Sequence, residues 1–284
     1  MTEPITSTAN TRIKALVRLR DRSERDATGR FIIEGYRELT RALAAAVSIE
    51  ALYVSPSLFL GENEARLIDA ATAAGAEVVE VDEAPFRKAS YRERPEGLLA
   101  VAIRFGTGLD RILRAGNPLL LVAESIEKPG NLGTMLRTAE AAGVTGVIVA
   151  DPTTDPFNPN VVRASLGTLF TVPLAVTDSA SAVEHLRRSG IRILATTPAG
   201  ATAHYAVDMT GPVAIVIGSE QYGLTPAWLE AADETIVIPM PGSVDSLNAA
   251  MAAGIVLFEA LRQRAANSRQ PTADSRQPEV WPAP

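Results

Sequence analysis

The hydrophobic positions of the chain form two successive series of short apolar runs, separated by segments with helical spacing. In the first series the runs rich in β-branched residues, which predict strands, are residues 31–33, 49–54, 77–81 and 98–103. Segments whose apolar residues recur at helical spacing are 12–20, 38–46 and 58–74. This alternation predicts a small α/β domain over residues 1–104, followed by a glycine-containing linker at 105–117.

The second series is more apolar. Its predicted strands are residues 118–123, 146–150, 170–175, 192–195, 213–217 and 234–238. Its predicted helices are 131–142, 161–166, 180–189 and 226–232, with a further helix near the end. Nearly continuous Val, Ile and Leu runs are typical of a parallel sheet that is covered on both faces. We therefore predict a parallel α/β domain over 118–266 and a disordered polar tail over 267–284, where Ser-Arg-Gln-Pro occurs twice.

Length and composition narrow the functional classes. The chain has 284 residues, of which 46% are hydrophobic, and it shows neither a signal-peptide pattern nor an apolar run long enough for a bilayer. We expect a cytoplasmic protein without a membrane partner. The chain has no cysteine and two histidines, which excludes disulfides, thiolate metal sites and cysteine nucleophiles. No metal site is expected.

The charge is unevenly distributed. The net charge is −6, yet residues 1–41 carry nine basic and six acidic side chains, which leaves +3 there and −9 in the remainder. Such asymmetry can indicate a polyanion-binding arm on an acidic protein. A solvated helix face of mixed charge explains the same composition, and composition alone favours that explanation.

A stretch near the end of the second series predicts a ligand site. Strand residues 235–238 are followed by a loop with two prolines and Gly242, and Ser243 or Ser246 can cap the helix after it. The apolar positions of that helix are Leu247, Met251, Ile255, Phe258 and Leu261. The alanines between them let other backbone approach closely. A backbone-lined pocket and an ordinary strand-to-helix turn are both compatible with this pattern.

Two further loops leave strands of the same predicted sheet. The first leads into a helix that Asn131 can cap, with Gly133 and Arg137 on the same helix, and the second presents Glu220. An isolated acid or arginine is more often part of an ion pair than a catalyst. The carboxyl ends of parallel strands meet at one edge of a sheet, so we expect these two loops and the late stretch to converge.

A nicotinamide-binding unit is the alternative for the first loop. A strand, a glycine-containing loop, a helix and a second strand ending before Asp151 match its outline. However, residues 130–133 read G-x-x-G, so the G-x-G-x-x-G phosphate cradle is absent. A nicotinamide-dependent oxidoreductase is therefore disfavoured.

Together the three loops resemble the motifs of a known family, the SpoU (TrmH-like) branch of the SPOUT RNA methyltransferases. The matching segments are Asn131-x-Gly133-x-x-x-Arg137-Thr138-Ala139, Ile217-Gly218-x-Glu220-x-x-Gly223-Leu224, and Ile238-Pro-Met240 with Ser246-Leu247-Asn248. The N-terminal part resembles the RNA-binding domain that often precedes this unit, through Ile5-Thr-Ser7, Asn10, Lys14, Phe31 and Glu34-Gly35. The whole arrangement is most similar to actinobacterial 23S rRNA methyltransferases of the thiostrepton- and avilamycin-resistance type.

This resemblance implies a fold and a reaction. The fold is a SPOUT domain with a deep trefoil knot that forms a homodimer, and the reaction is methyl transfer from S-adenosylmethionine to a ribose 2′-hydroxyl of RNA, foremost 23S rRNA. A non-catalytic RNA-binding relative remains an alternative. It would lack Arg137 or Asn248, and both are present.

The resemblance also implies roles for individual residues. Thr196, Gly218, Ile238, Met240 and Leu247 are expected to bind the methyl donor. Arg137, Asn131, Glu220, Ser246 and Asn248 are expected to form the catalytic centre, and Arg137, Arg163 and Lys14 to contact RNA. The chain has Ala250 where many relatives have serine, so a catalytic hydroxyl at that position is not expected.

Overall fold

The computed structural model describes residues 3–112 and 116–268, which form two units, each built on its own β-sheet. The N-terminal unit contains α1 (Thr11–Arg18), α2 (Arg22–Thr28), β1 (Arg30–Glu34), α3 (Tyr36–Ala44), β2 (Ile49–Val54), α4 (Glu64–Ala73), β3 (Glu77–Glu80), α5 (Glu83–Ala89) and β4 (Leu98–Ile103). Its strand order is β1-β4-β2-β3, with β4 antiparallel to both neighbours. The predicted small α/β domain is thus confirmed.

Differences from the predicted N-terminal elements have local causes. The helix predicted over 58–74 begins at Glu64, because a short 3₁₀ turn occupies Pro56–Leu58 and the Glu64 carboxylate accepts hydrogen bonds from the N–H groups of Leu60 and Gly61. The short helices α2 and α5 were not predicted. Each has seven residues, too few to display a helical repeat of apolar positions.

The C-terminal unit is a seven-stranded sheet with helices on both faces. Its elements are β5 (Leu119–Glu124), α6 (Pro129–Ala141), β6 (Gly146–Ala150), α7 (Pro159–Ala164), β7 (Leu174–Thr177), α8 (Ser179–Arg188), β8 (Arg192–Thr196), β9 (Thr202–Ala203), β10 (Val213–Ile217), α9 (Pro226–Ala231), β11 (Glu234–Val237) and α10 (Ala249–Ser268). The order is β7-β6-β5-β10-β8-β11-β9, and every pairing is parallel. All residues of β5 and β10 are buried, which confirms the predicted sheet covered on both faces.

One strand and one helix cap in this unit differ from the prediction. The strand predicted over 170–175 lies at Leu174–Thr177, because Thr168–Phe170 forms a 3₁₀ turn. Neither Ser243 nor Ser246 caps α10. The cap is Asn248, whose side-chain oxygen accepts hydrogen bonds from the N–H groups of Ala250 and Met251.

The predicted apolar stripe of α10 is also not its core face. Met251, Phe258 and Leu261 are 62%, 49% and 36% exposed. The helix instead buries its small and branched residues, which are Ala249, Ala250, Ala253, Val256, Leu257 and Ala260. Small side chains on the buried side let α10 lie close to α6, where the space for a Cβ on Gly254 is 3.6 Å from the methyl carbon of Thr138.

The predicted boundaries and the knot stay predictions. Of the proposed linker, residues 113–115 lie outside the described residues, as do residues 269–284 of the proposed tail, while α10 continues to Ser268. In the sheet β11 lies beyond β8, and the chain then returns to pack α10 against β10 and α6. Among the described residues, no helix is long and apolar enough to cross a membrane.

Buried charges join the two units. The guanidinium of Arg25, which is 1% exposed, donates to the Asp155 carboxylate at 2.7 Å, and Arg104 donates to the same carboxylate at 3.0 Å. Around them, the rings of Phe31 and Phe105 each lie with their centroids 5.0 Å from that of Phe157. The N-terminal unit is therefore packed against the C-terminal unit rather than only tethered to it.

We predict that Asp155→Ala lowers the free energy of unfolding by about 3 kcal/mol, because it leaves the buried Arg25 guanidinium without its counter-charge. Urea denaturation measures the loss. Glu83→Ala is the control, since the exposed Arg87–Glu83 pair contributes less than about 1 kcal/mol. Equal effects of the two substitutions would contradict a structural role for the Asp155 network.

Candidate functional site

A cleft of about 470 Å³ lies beyond the carboxyl ends of β8, β10 and β11. All five residues predicted to bind a methyl donor line it, namely Thr196, Gly218, Ile238, Met240 and Leu247. Glu220 and Ser246 line the same cleft. Further lining residues that the sequence did not single out include Thr197, Pro198, Gln221, Tyr222 and Leu229. The volume is within the range of small-molecule sites, about 300–1,000 Å³.

Two lining residues have features that suit a ligand. A Cβ on Gly218 would collide with the carbonyl group of Gly223, so only glycine permits this tight loop. The hydroxyl oxygen of Thr196 is buried and has no hydrogen-bond partner among the described residues. A buried hydroxyl without a partner costs free energy unless a ligand or water satisfies it.

Beside the cleft, the Glu220 carboxylate is hydrogen-bonded to side chains from two segments that are distant in the sequence. We call these three residues, Asn131, Glu220 and Asn248, the clasp. Glu220 Oε1 accepts hydrogen bonds from the side-chain amides of Asn131 at 2.5 Å and Asn248 at 2.7 Å. The Asn248 amide also donates to Asn131 Oδ1 at 3.1 Å. These contacts join the first turn of α6, the loop after β10 and the start of α10.

Asn131 therefore does not cap α6 as the sequence suggested. Helix α6 begins at Pro129, with Lys128 in the cap position. The Asn131 side chain reaches Glu220 instead.

Lys128 pairs with Glu220 of the clasp and was not identified from the sequence. Its ammonium lies 2.8 Å from Glu220 Oε2, and the Lys128 side chain is 70% exposed. The hydrogen bond from Lys128 is the main reason why the pKa of Glu220 is lowered, with burial opposing it and the Ala249 N–H adding to it. The sequence signal for Lys128 was its position directly before a proline that begins a helix. Its partner Glu220 is 92 residues away, so the sequence did not show that the two side chains meet.

Glu124 is a second residue that sequence reasoning missed. It ends β5, is fully buried, and accepts hydrogen bonds from the backbone N–H of Thr225 at 3.0 Å and from its hydroxyl. Burial raises the pKa of Glu124. Its carboxylate anchors the end of the loop that carries Gly218 and Glu220.

The three basic residues predicted to meet RNA lie apart from the clasp. Arg137 is exposed on α6, about 9 Å along the helix axis from Asn131 and on another side of it. Arg163 is exposed at the end of α7, where it and the N-terminal unit's Tyr91 and Arg92 line a small depression. Lys14 is exposed on α1. None of the three is among the described residues that line the cleft.

We predict a pH-dependent contribution of Glu220 to stability. The pKa of Glu220 in the folded state is lower than its usual value of 4.5. Ionised Glu220 therefore contributes its full stabilisation at pH values above 4.5. The stabilisation disappears as the pH falls through the lower folded-state value. Urea titrations should show wild type more stable than Glu220→Gln near neutral pH, and a smaller difference near about pH 3. An undiminished difference at the lower pH would contradict this account.

Comparison with known proteins bears on this site. Residues 118–258 match the model of the SpoU rRNA Methylase family, and residues 10–100 match that of the MRM3-like substrate binding domain. The 23S rRNA (guanosine-2'-O-)-methyltransferase RlmB of Ralstonia nicotianae is 34% identical over 242 residues, covering 82% of this chain and 96% of that protein. The 23S rRNA (uridine(2479)-2'-O)-methyltransferase of Streptomyces viridochromogenes is 32% identical over 252 residues, covering 87% of each.

A solved structure extends the similarity to three dimensions. The AdoMet-bound rRNA methyltransferase from Sinorhizobium meliloti superposes with a TM-score of 0.84 at 32% identity, covering 92% of this chain and 97% of that one. The resemblance that the three sequence motifs indicated is thereby confirmed. The chain belongs to the SpoU rRNA methylase family.

Proposed function

We propose that this protein is an S-adenosylmethionine-dependent methyltransferase that modifies a ribose 2′-hydroxyl of 23S ribosomal RNA. The observation that carries the proposal is the convergence of the loops after β8, β10 and β11 on one cleft, with the clasp at its edge. Relatives that align along nearly the whole chain are named as enzymes of this reaction. The proposal places the protein in the cytoplasm, where bacterial ribosomes are assembled.

The cleft fits the methyl donor. Thr196 would satisfy its buried hydroxyl on the ligand, and the glycine-bounded loop at Gly218 would offer backbone groups at close range. Ile238, Met240 and Leu247 would supply the apolar wall. When bound, S-adenosylmethionine supplies a methyl group that its sulfonium already activates. The protein's own tasks are then to align the ribose oxygen and to remove its proton.

Arg137 is the proposed residue for aligning the ribose. Guanidinium groups stay protonated in proteins, so an arginine is a poor proton acceptor. It is well suited to hold the hydroxyl and an adjacent phosphate, which then takes the proton directly or through water. The remaining members of the proposed catalytic centre are the clasp residues Asn131, Glu220 and Asn248, together with Ser246. The clasp would hold the cleft loops in position, and Ser246 would lie at the edge of the cleft.

We predict that Arg137→Ala lowers the methylation rate on the order of 100-fold or more and leaves donor affinity nearly unchanged. Isothermal titration calorimetry with S-adenosylmethionine and a labelled-methyl assay measure the two quantities. Arg187→Ala, which removes an exposed arginine from α8, is the control. Loss of donor binding in Arg137→Ala would contradict the proposed role.

The RNA target is tested by mapping. Arg163 and Lys14 are proposed RNA contacts, one on each unit. The relatives are named for a guanosine in one case and a uridine in the other, so the base is not fixed by the family.

The test is to methylate 23S rRNA with labelled donor and to locate sites that resist alkaline hydrolysis. A 2′-O-methyl site that the wild type makes and Arg137→Ala does not would support the proposal, whereas methyl groups on bases alone would refute it.

We also propose that the protein is a homodimer formed through α10. The exposed residues Met251, Phe258 and Leu261 lie on one side of this helix, next to α6. An apolar side of this kind is typical of an isologous contact between two copies of a chain.

We predict that Phe258→Glu shifts the protein from dimer to monomer, because two carboxylates would be brought into an apolar contact. Sedimentation velocity at matched concentrations measures the assembly. Leu60→Glu is the control, since Leu60 is 77% exposed on the N-terminal unit. A wild-type protein that is monomeric at every concentration would contradict the proposal.

A further inference from the structure

The turn that follows α7, residues 165–168, has an unusual backbone. Leu166 has φ = +51° and Gly167 has φ = +84°, so two successive residues are left-handed. A leucine rarely adopts this conformation, and such residues persist where surrounding contacts hold them. The N–H groups of the two left-handed residues donate locally, that of Leu166 to the Arg163 carbonyl at 3.0 Å and that of Gly167 to the Ser165 hydroxyl at 3.2 Å.

The N-terminal unit holds one side of this turn. Arg41 of α3 donates from Nη1 to the Leu166 carbonyl oxygen at 2.8 Å. The space for a Cβ on Gly167 is 3.1 Å from Arg41 Cβ and 3.2 Å from the Cα of Glu38, which is itself buried. Helix α3 therefore lies directly against the left-handed residues.

The other side of the turn supports α6. A Cβ on Gly133 would lie 2.8 Å from the Val161 carbonyl oxygen and 2.9 Å from the Ser165 nitrogen, so α6 touches the backbone of α7 and the start of the turn. Two residues before this contact lies Asn131 of the clasp, and four residues after it lies Arg137. The turn therefore lies between the N-terminal unit and α6, the helix that carries Asn131 and Arg137.

We propose that Arg41 is a positioning residue for methyl transfer, which acts by holding this turn against α6. The inference rests on the proposed function, in which alignment is the main task of the protein. Displacing a reacting group by about 1 Å can cost on the order of 100-fold in rate, and α6 is packed too tightly at Gly133 to move independently of the turn.

Arg41→Met is the principal test, because methionine keeps an aliphatic stem over Gly167 and removes the hydrogen bond to Leu166. We expect kcat at saturating RNA to fall about 10-fold with little change in RNA or donor affinity. Arg41→Lys, which can still donate to the carbonyl, should restore part of the rate. Gly167→Ala should lower kcat as well, since it strains the turn and meets Arg41 without changing charge.

The matched controls are Arg37→Met and Arg104→Met. The first removes an exposed arginine one turn earlier on α3, and the second weakens the interface at the Asp155 network. A rise in RNA Kd or KM with unchanged kcat in Arg41→Met would overturn the proposal in favour of an RNA contact. An equal loss of kcat in Arg104→Met at matched thermal stability would overturn it in favour of general domain docking.

Hydrogen exchange separates this inference from the proposed function. Arg41→Met should accelerate amide exchange in residues 129–141, and Arg37→Met should not. Unchanged exchange in α6 would overturn the positioning role, even in an active enzyme. A wild-type protein without methyltransferase activity would refute the proposed function, while the exchange data would still decide whether Arg41 holds α6.

Discussion

The Glu220 carboxylate is the group on which the candidate site depends. It joins α6, the loop after β10 and the start of α10 through the side chains of Asn131 and Asn248, and Lys128 balances its charge from outside. The walls of the cleft are loops, and their own backbone hydrogen bonds do not restrict them to a single conformation. A single acceptor shared by two amides favours one arrangement, because hydrogen bonds to a charged acceptor are stronger than those between neutral groups.

The two units act as one body through contacts of two kinds. Asp155 pairs with two arginines at the interface, one of them fully buried, and this network resists separation because an unpaired buried charge costs free energy. Arg41 makes a directed contact with a turn whose backbone is already strained. The first kind of contact fixes the position of the N-terminal unit, and the second links that position to α6. RNA held by the N-terminal unit would therefore meet the cleft in a defined orientation.

The basic N-terminal segment shows how composition can mislead about function. Arg25 is buried against Asp155, Arg20 donates to three carbonyl groups at residues 88–90, and Arg12 pairs with Glu77. These side chains have partners within the fold, and the buried Arg25 fits neither a polyanion-binding arm nor a solvated helix face. Lys14 of the same segment and Arg163 at the end of α7 are exposed.

The sequence alone determined the fold class, the parallel sheet and seven of the residues that line the cleft, because apolar periodicity and short motifs are local properties of the chain. The exposure of Met251 and Phe258 and the clasp partner Lys128 were decided only by the tertiary structure. Each depends on a group that is distant in sequence or on which helix face meets the core. Asn131 illustrates the difference. Its position before an apolar segment suggested a helix cap, but Glu220, 89 residues away, offered its amide a charged acceptor. The helix already begins at Pro129, so Asn131 is not in the cap position, and only the folded chain brings its amide to Glu220.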